Sequence, residues 1–333
     1  MKVSVLITCY NTERYIGDAI NSVVSQDMPF EWELLVGDDG STDNTRAIVN
    51  EWIAKYPKNI KLYVQERGEI GKAGLRAARN RAFLLEHASG DYINFLDGDD
   101  CFLGKDKINN QVDILEDPKN RDCSCVAHNH IDYFIKTGVK KAFVTTGSGD
   151  RKYDIRQYWL SHYFHTNTIL FRSCCKKMLL DSKYRDFLND NFITFLLLQF
   201  GNIYYSDNIW AQYNRTGDGL WTGHNAVYGD FRNIQLFDLE MTVRKDMNDI
   251  ILNRHRSSIR KIRREYKHGM EKEITPLVVG LDSHIFKYTI LLYKLDGMTM
   301  SEIMRKSWLF LRTDISFLQS RVRAFANRIK NQL

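Results

Sequence analysis

Residues 92–100 read Tyr92-Ile93-Asn94-Phe95-Leu96-Asp97-Gly98-Asp99-Asp100, a short apolar run that leads into three carboxylates. The run has the aromatic and β-branched content of a strand covered on both faces. Acids this close together repel one another and lose hydration when buried, which a cation would relieve. On an extended backbone Asp97 and Asp99 point the same way and offer oxygen ligands for Mg²⁺ or Mn²⁺. An exposed acidic turn is the alternative, because Asp and Gly are common turn residues.

The composition of the chain indicates a globular protein with a large core. It has 333 residues, 44% of them hydrophobic and 26% charged, with a formal net charge of only +6. This mild charge gives no reason to expect a nucleic-acid partner. The six cysteines match no zinc or redox spacing, which predicts reduced thiols. We find no signal-peptide pattern and no apolar run of the ~20 residues that a spanning helix needs, so we expect a cytoplasmic protein.

Strand and helix patterns alternate four times in the first part of the chain. The other three strand patterns are Val3–Cys9, Trp32–Gly37 and Ile60–Gln65. A helix pattern follows each of them; Asn11 or Thr12 can cap the first helix, and residues 71–86 form the third. This alternation predicts an α/β fold with a parallel sheet and helices on both faces. Ligands bind beyond the carboxyl ends of such strands, where the polar clusters 8–11, 38–42 and 97–100 are expected to meet.

Two common types of nucleotide site are excluded, because the sequence lacks their motifs. No G-x-G-x-x-G follows the first strand, and Gly71-Lys72 lacks the other residues of a P-loop. Phosphates would instead be neutralised by a metal at Asp99 and by basic residues of the third helix. The candidates there are Lys72, Arg76 and Arg79, of which the last two share one helical face. A solvated helix face is the alternative for any one of them.

Four motifs in order resemble the family 2 glycosyltransferases. They are 3–11 (VSVLITCYN), 38–43 (DDGSTD), Gly74 followed by Ala78-Arg79-Asn80, and 95–100 (FLDGDD). The resemblance covers roughly residues 1–215 and implies the GT-A fold, a Rossmann-like, mixed but mainly parallel sheet flanked by helices. It also implies an inverting transferase that takes its sugar from a nucleotide-diphospho-sugar, most often UDP-linked, with Mn²⁺ or Mg²⁺ as the cofactor.

The resemblance also implies roles for individual residues. Thr8 and Tyr10 would line the base pocket, and Asp39 would accept a hydrogen bond from the base. Asp97 would hold the ribose or the metal shell, and Asp99 would ligate the metal. Arg79 would be a phosphate-side or a structural contact. Asp190 would be the general base, although Asn189 stands where the family has Glu, and the alternative role of Asp190 is a helix N-cap.

The domain prediction is a catalytic domain over residues 1–225 and a helical, basic region over 226–333. Residues 1–118 would bind the nucleotide-sugar and 119–225 the acceptor, with strands at Cys123–Ile135 and Thr166–Phe171 and a core helix from Phe192. Acceptor contacts are predicted for three side chains in or near loops: His165, Trp221 and His224.

The C-terminal region combines a capping box, Thr299-x-x-Glu302, with an apolar stripe that recurs every three or four residues from Trp308 to Ile329. Basic residues flank the stripe. Three roles fit this pattern: docking on the rest of the chain, a homodimeric coiled coil, or peripheral binding to the anionic inner face of the cell membrane.

The function predicted from these observations is metal-dependent, inverting sugar transfer to a glycan or lipid-linked hydroxyl, in surface-polysaccharide biosynthesis. Two alternatives stay open. A nucleotidyltransferase acting on a sugar phosphate also binds metal and nucleotide at strand ends, but the glycine-rich basic loop of such enzymes is missing after the first strand. A non-catalytic polysaccharide-assembly subunit would not need the carboxylates of Asp99 and Asp190.

Overall fold

A computed structural model describes residues 1–66, 73–144, 149–161, 164–216, 236–237, 239–256, 297–302 and 304. The chain divides into two compact units, Met1–Asn225 and Ala226–Leu333. Within the described residues, no helix is both long enough and apolar enough to cross a membrane.

The second unit contains helical segments at residues 239–243 and 248–256. The predicted capping box is present, because the Thr299 N–H donates to Glu302 Oε2 at 2.9 Å and the Glu302 N–H donates to Thr299 Oγ1 at 3.4 Å. The apolar stripe from Trp308 to Ile329 lies outside the described residues, so its three roles stay predictions.

The first unit contains ten strands and seven α-helices in its described parts. The strands are β1 (Lys2–Cys9), β2 (Glu31–Asp38), β3 (Ile60–Val64), β4 (Tyr92–Asp97), β5 (Cys101–Phe102), β6 (Cys123–Phe134), β7 (Val139–Ala142), β8 (Arg151–Tyr153), β9 (Leu170–Arg172) and β10 (Asn202–Arg215). The helices are α1 (Ile16–Val24), α2 (Thr45–Lys55), α3 (Ala73–His87), α4 (Lys107–Glu116), α5 (Ile155–Ser161), α6 (Lys176–Leu179) and α7 (Asp190–Leu197).

All ten strands belong to one mixed sheet with the order β3-β2-β1-β4-β9-β6-β10-β5, to which β7 and β8 add at β6 and β10. The long ladders β3-β2-β1-β4 and β6-β10 are parallel. The short strand β9 runs antiparallel to both β4 and β6, so the two parallel groups point the same way. The mainly parallel α/β sheet predicted from the alternating patterns is therefore confirmed.

Helices cover both faces of the sheet around β1 and β2. On one face, Val5 and Val36 belong to a core cluster with Ile16 and Ile20 of α1. On the other face, α3 packs against β1 and β2. Gly37 permits this close approach, because a Cβ at that position would lie 2.1 Å from Asn80 Oδ1. These packed layers hold the carboxyl ends of β1, β2 and β4 at one edge.

Two local predictions were wrong, and polar side chains explain both. Asn11 does not cap α1: its φ is +51°, its side chain accepts the Thr42 N–H at 2.8 Å, and α1 begins at Ile16 without a side-chain cap. Residues Thr166–Thr168 form a 3₁₀ turn rather than part of a strand, and the strand β9 begins only at Leu170. The Thr168 hydroxyl donates to the His165 carbonyl at 2.7 Å, which stabilises the turn.

Candidate active site

The polar clusters that follow β1 and β4 meet at the edge of the sheet. Thr8 Oγ1 donates to Asp97 Oδ1 at 2.9 Å, and the Gly98 N–H donates to the Thr8 carbonyl at 2.8 Å. A Cβ at position 98 would lie 2.8 Å from Cys9 Cβ, so only glycine lets the two strand ends approach this closely. The predicted neighbours Thr8 and Asp97 therefore share one site.

The cluster that follows β2 joins the same edge through Tyr10, Asp39 and Arg76. The Asp39 N–H donates to the Cys9 carbonyl at 3.0 Å, and Arg76 Nη2 lies 3.3 Å from Asp39 Oδ2. The Arg76 guanidinium also lies over the Tyr10 ring, 5.7 Å from its centroid. Burial, opposed by Arg76 and aided by Asp38, raises the pKa of Asp39. An aromatic ring and a carboxylate are thus placed side by side, as a nucleotide base would require.

The acidic turn after β4 is not extended. The Asp100 N–H donates to the Asp97 carbonyl at 2.9 Å, so residues 97–100 form a turn rather than a continued strand. The extended backbone on which Asp97 and Asp99 would point the same way is therefore not present. The turn instead directs the Asp100 side chain into the protein, where Asn167 Nδ2 and the Asn214 N–H donate to its two oxygens at 3.1 and 2.9 Å.

The three carboxylates differ in their charge environment. Burial and the charge of Asp97 raise the pKa of Asp99 to about 6. Burial and the charges of Asp99 and Asp97 raise the pKa of Asp100 well above its usual range. Burial acts on Asp97 too, but Arg81, His165 and the Thr8 hydroxyl outweigh it, so the pKa of Asp97 is lowered. The surroundings of the turn therefore disfavour the charged forms of Asp99 and Asp100. A bound cation would relieve this penalty.

Arg81 of α3 pairs with this cluster and was missed in the sequence analysis. Its guanidinium donates to both oxygens of Asp97, at 2.8 and 3.0 Å, and to the Leu188 carbonyl at 3.1 Å. Its Nη2 also lies 3.9 Å from Asp190 Oδ1. The signal was available, because Ala78, Arg81, Ala82 and Leu85 follow helical spacing and place an arginine on the buried face of α3.

We expect Arg81→Leu to lower the free energy of unfolding by up to about 3–5 kcal/mol, because it leaves the half-buried Asp97 carboxylate without its main cation. Urea unfolding followed by circular dichroism measures the change. Arg79→Leu on the same helix is the matched control: its pair with Asp186 is more than a third exposed on both sides, so we expect a loss of ~1 kcal/mol or less. Equal losses in the two variants would contradict a special role for Arg81.

The predicted basic residue Arg79 contacts Asp186 and not the acidic turn. Arg79 donates through Nε and Nη2 to the two oxygens of Asp186, at 2.9 and 3.0 Å, which makes it a contact between α3 and the turn Arg185–Phe187. Lys72 lies outside the described residues, as do the predicted acceptor contacts Trp221 and His224.

Asp190 reaches the acidic cluster from the other half of the unit. It is the first residue of α7, and Asn189 is the N-cap, since Asn189 Oδ1 accepts the Phe192 N–H at 3.0 Å. The alternative role of Asp190 as the N-cap was therefore wrong. Asp190 Oδ1 lies 3.9 Å from Arg81 Nη2, and Oδ2 lies 3.9 Å from His165 Nε2.

His165 lies between Asp190 and the acidic turn. Its Nδ1 is 3.8 Å from Asp100 Oδ2 and accepts the Asn167 N–H at 3.4 Å. The Tyr213 ring packs against its imidazole with centroids 4.3 Å apart. His165 is buried, so the structure places this predicted acceptor residue beside the predicted base rather than on an exposed loop.

Among the described residues, Asp97, Asp100 and His165 can bring one ligand atom each to within 4.8 Å of one another, as a metal site requires. Asp97 and Asp100 already accept hydrogen bonds from Arg81, Thr8, Asn167 and Asn214. No described side chain donates to the predicted ligand Asp99, which lies on the same turn. Carboxylate oxygens at this density suit Mg²⁺ or Mn²⁺, so the donor set fits such a cation.

Curated proteins are similar to about a third of this chain. Two of them are from Bacillus subtilis (strain 168). The putative glycosyltransferase EpsE is 40% identical over 115 residues, which are 34% of this chain and 38% of EpsE. The putative teichuronic acid biosynthesis glycosyltransferase TuaG is 38% identical over 113 residues, 34% of this chain and 41% of TuaG. These matches span less than half the length of either relative.

Solved structures share the fold. S. aureus TarS 1–349 in complex with UDP-GlcNAc superposes with a TM-score of 0.61 at 19% identity, over 91% of this chain and 85% of that one. The mannosyltransferase PcManGT from Pyrobaculum calidifontis, in complex with GDP-Man and Mn²⁺, superposes with a TM-score of 0.52 at 16% identity, over 95% of this chain and 79% of that one. These likenesses confirm the predicted GT-A fold.

A family model described as glycosyl transferase family 2 matches residues 4–179, which include most of β1, all of β2 and β4, and the acidic turn. The match spans more than half of the 333 residues and contains the motifs on which the resemblance rested, apart from Val3. The chain belongs to glycosyl transferase family 2.

Proposed function

We propose that this chain transfers a sugar from a nucleotide-diphospho-sugar to a hydroxyl of a glycan or lipid-linked acceptor, with inversion at the anomeric carbon. The observation that carries the proposal is the position of Asp190. Its carboxylate lies within 4 Å of both Arg81 and His165, and these two residues contact the acidic turn through Asp97 and Asp100. The proposed catalytic base, Asp190, would therefore lie next to the proposed site of the diphosphate.

Each half of the site has a chemical task. Asp39 binds the nucleotide base beside Tyr10, and Thr8 and Asp97 lie between this base pocket and the acidic turn. Asp99, with Asp97 beside it, is the proposed ligand of Mg²⁺ or Mn²⁺, and a bound cation would supply Lewis-acid stabilisation of the departing diphosphate. A UDP-linked sugar is the proposed donor, because a solved neighbour of the same fold holds UDP-GlcNAc.

In the proposed transfer, Asp190 takes up the proton and the nucleoside diphosphate leaves with the bonding electrons. The acceptor hydroxyl attacks the anomeric carbon, and its proton passes to the Asp190 carboxylate. The bond between that carbon and the diphosphate breaks as the new bond forms, and the nucleoside diphosphate leaves with the bonding electrons. Arg81 and His165 hold the Asp190 carboxylate in place, each through one of its oxygens. A single displacement of this kind inverts the configuration.

The class of acceptor is proposed from the relatives. TuaG is described as a teichuronic acid biosynthesis protein, and TarS as a poly(ribitol-phosphate) β-N-acetylglucosaminyltransferase. Both descriptions concern polymers of the bacterial surface. We therefore place this chain in surface-polysaccharide biosynthesis.

A nucleotide-sugar panel with Mn²⁺ tests the donor. We expect a UDP-sugar at 100 times its Kd to stabilise the protein by about 2.7 kcal/mol, measured as a rise in Tm, and EDTA to remove most of this gain. Asp39→Ala should lose the shift, and Glu51→Gln, an exposed acid on α2, should keep it. Chromatography of the products then decides the reaction. Release of the nucleoside diphosphate supports sugar transfer, and release of pyrophosphate from a nucleoside triphosphate would instead indicate a nucleotidyltransferase.

A further inference from the structure

Residues 133–143 form an exposed hairpin, called the basic hairpin below. It consists of the end of β6, a turn in which the Gly138 N–H donates to the Phe134 carbonyl at 2.8 Å, and β7. It contains Lys136, Lys140 and Lys141 and no acidic residue. None of these lysines forms an ion pair with a described residue of the chain. A positive surface whose lysines have no ion-pair partner among the described residues is available to an external anion.

The basic hairpin lies at the same edge of the sheet as the acidic turn. Strand β9 is antiparallel to both β4 and β6, so β6 ends on the side where β4 ends at Asp97. Strand β10 runs parallel to β6 and reaches the same place, since the Asn214 N–H donates to Asp100 Oδ1 at 2.9 Å. The hairpin therefore extends from the edge of the proposed active site.

The ladder register assigns the hairpin side chains to two faces. Phe134 pairs with Val139 and Asp132 with Lys141, so these four side chains share one face. We call this the Lys141 face. The Phe143 N–H donates to the His130 carbonyl at 2.9 Å, which continues the same face towards the sheet. Tyr133 pairs with Lys140 on the opposite face, where the Lys140 ammonium lies 4.8 Å from the ring centroid.

A chain of ring contacts connects the Lys141 face to His165, which lies beside the proposed catalytic base Asp190. The Phe143 ring stacks on His130 with centroids 4.6 Å apart, and His130 lies 5.9 Å from His165. A second line of contacts runs parallel to the first: the Arg215 guanidinium lies 4.9 Å from the Tyr213 ring centroid and 5.5 Å from that of Phe134. Aromatic rings and cations thus extend from His165 to the tip of the hairpin.

The exposed apolar residues of this face indicate a binding surface. Phe134, Val139 and Phe143 are 38%, 54% and 39% exposed, although they lie close together. Aromatic faces of this kind pack on the C–H faces of sugar rings, and a lysine binds phosphate or carboxylate as a point charge. Asp132 lies on this face too, but it pairs with Arg215 at 3.2 Å, so Lys141 is left without an ion-pair partner among the described residues. The ligand that fits both features is a glycan chain that carries negative charge.

We propose that the Lys141 face of the basic hairpin binds the acceptor, and that the acceptor is an anionic glycan with phosphodiester or carboxylate groups. This inference rests on the proposed function, since it requires sugar transfer at Asp190. The chain would lie along Phe134, Val139 and Phe143 and reach the catalytic carboxylate past His130 and His165.

The test measures binding of short fluorescent oligomers to the full chain without a donor. The probes are a glycerol-phosphate oligomer, an oligogalacturonate and a neutral dextran oligosaccharide of equal length, which separate phosphate, carboxylate and uncharged sugar. We expect at least one anionic probe to bind, less tightly as salt rises, and the dextran to bind weakly. Lys141→Glu should weaken this binding about 10-fold, and Lys140→Glu, with the same charge change on the opposite face, by ~2-fold or less.

Three results would overturn the inference: equal effects of the two lysine variants, equal binding of dextran, or binding through Lys141 to phosphatidylglycerol vesicles with no binding of the anionic oligomers. Donor binding is measured in parallel by calorimetry. If the wild type binds a nucleotide-sugar while Lys141→Glu has no effect on the oligomers, the inference fails and the proposed function stands. If the wild type binds no nucleotide-sugar with Mn²⁺, the proposed function fails first.

Discussion

Asp190→Asn should lower kcat for sugar transfer by about 10²–10⁴-fold and leave the KM for the donor within a few-fold of wild type. The amide keeps the size of the side chain but cannot accept the proton of the attacking hydroxyl. Asp190 lies at the first position of α7 and does not cap it, so the helix itself should persist. Initial rates of nucleoside diphosphate release at saturating donor and acceptor measure the effect.

Asn189→Asp is the matched control for this experiment. It places an extra carboxylate one residue earlier and preserves the N-cap, because Asp and Asn cap helices about equally well. We expect it to retain most of the turnover. A kcat for Asp190→Asn close to that of wild type would show that another group removes the proton, and the assignment of the base would have to be withdrawn.

The sheet edge was predictable because strands and their ends follow local rules. The β-branched run of β1 and the apolar run of β4 each end in polar residues. In a parallel sheet such ends must meet on one side, and this geometry alone brought Thr8 next to Asp97. The family resemblance was needed only to give these residues roles.

The partners of the acids were harder to predict, because they come from distant parts of the sequence. Arg81 stands two residues after Arg79, and only burial distinguishes the guanidinium that faces Asp97 from the one that pairs at the surface with Asp186. The 3₁₀ turn Thr166–Thr168 looked like a strand because threonine and isoleucine favour strands. Its hydroxyl and imidazole bonds to the backbone override that preference and bring His165 to Asp190.

Asp99→Asn should change activity and stability in opposite directions. Without a metal-binding carboxylate, we expect transfer to fall by at least ~10²-fold, the effect of losing several kcal/mol of Lewis-acid stabilisation. The rise in Tm that a nucleotide-sugar causes with Mn²⁺ should be lost as well. In EDTA, however, the variant should unfold at a higher temperature than wild type, because burial and Asp97 raise the pKa of Asp99 to about 6 and its negative charge therefore destabilises the fold at pH 8.

The pH dependence separates this explanation from a general change in packing. A carboxyl group whose pKa is raised from 3.8 to about 6 in the folded state destabilises the fold progressively as pH rises from 3.8 to about 6, and the effect is constant above that. The difference in Tm between Asp99→Asn and wild type in EDTA should accordingly be small near pH 4, larger at pH 6 and constant from about pH 7 to pH 8. Asp106→Asn removes the same charge at an exposed position and should show neither the gain in stability nor the loss of activity. If Asp99→Asn retains Mn²⁺-dependent donor binding, the metal is held elsewhere on the turn, and Asp97, Asp100 and His165 become the ligands to test.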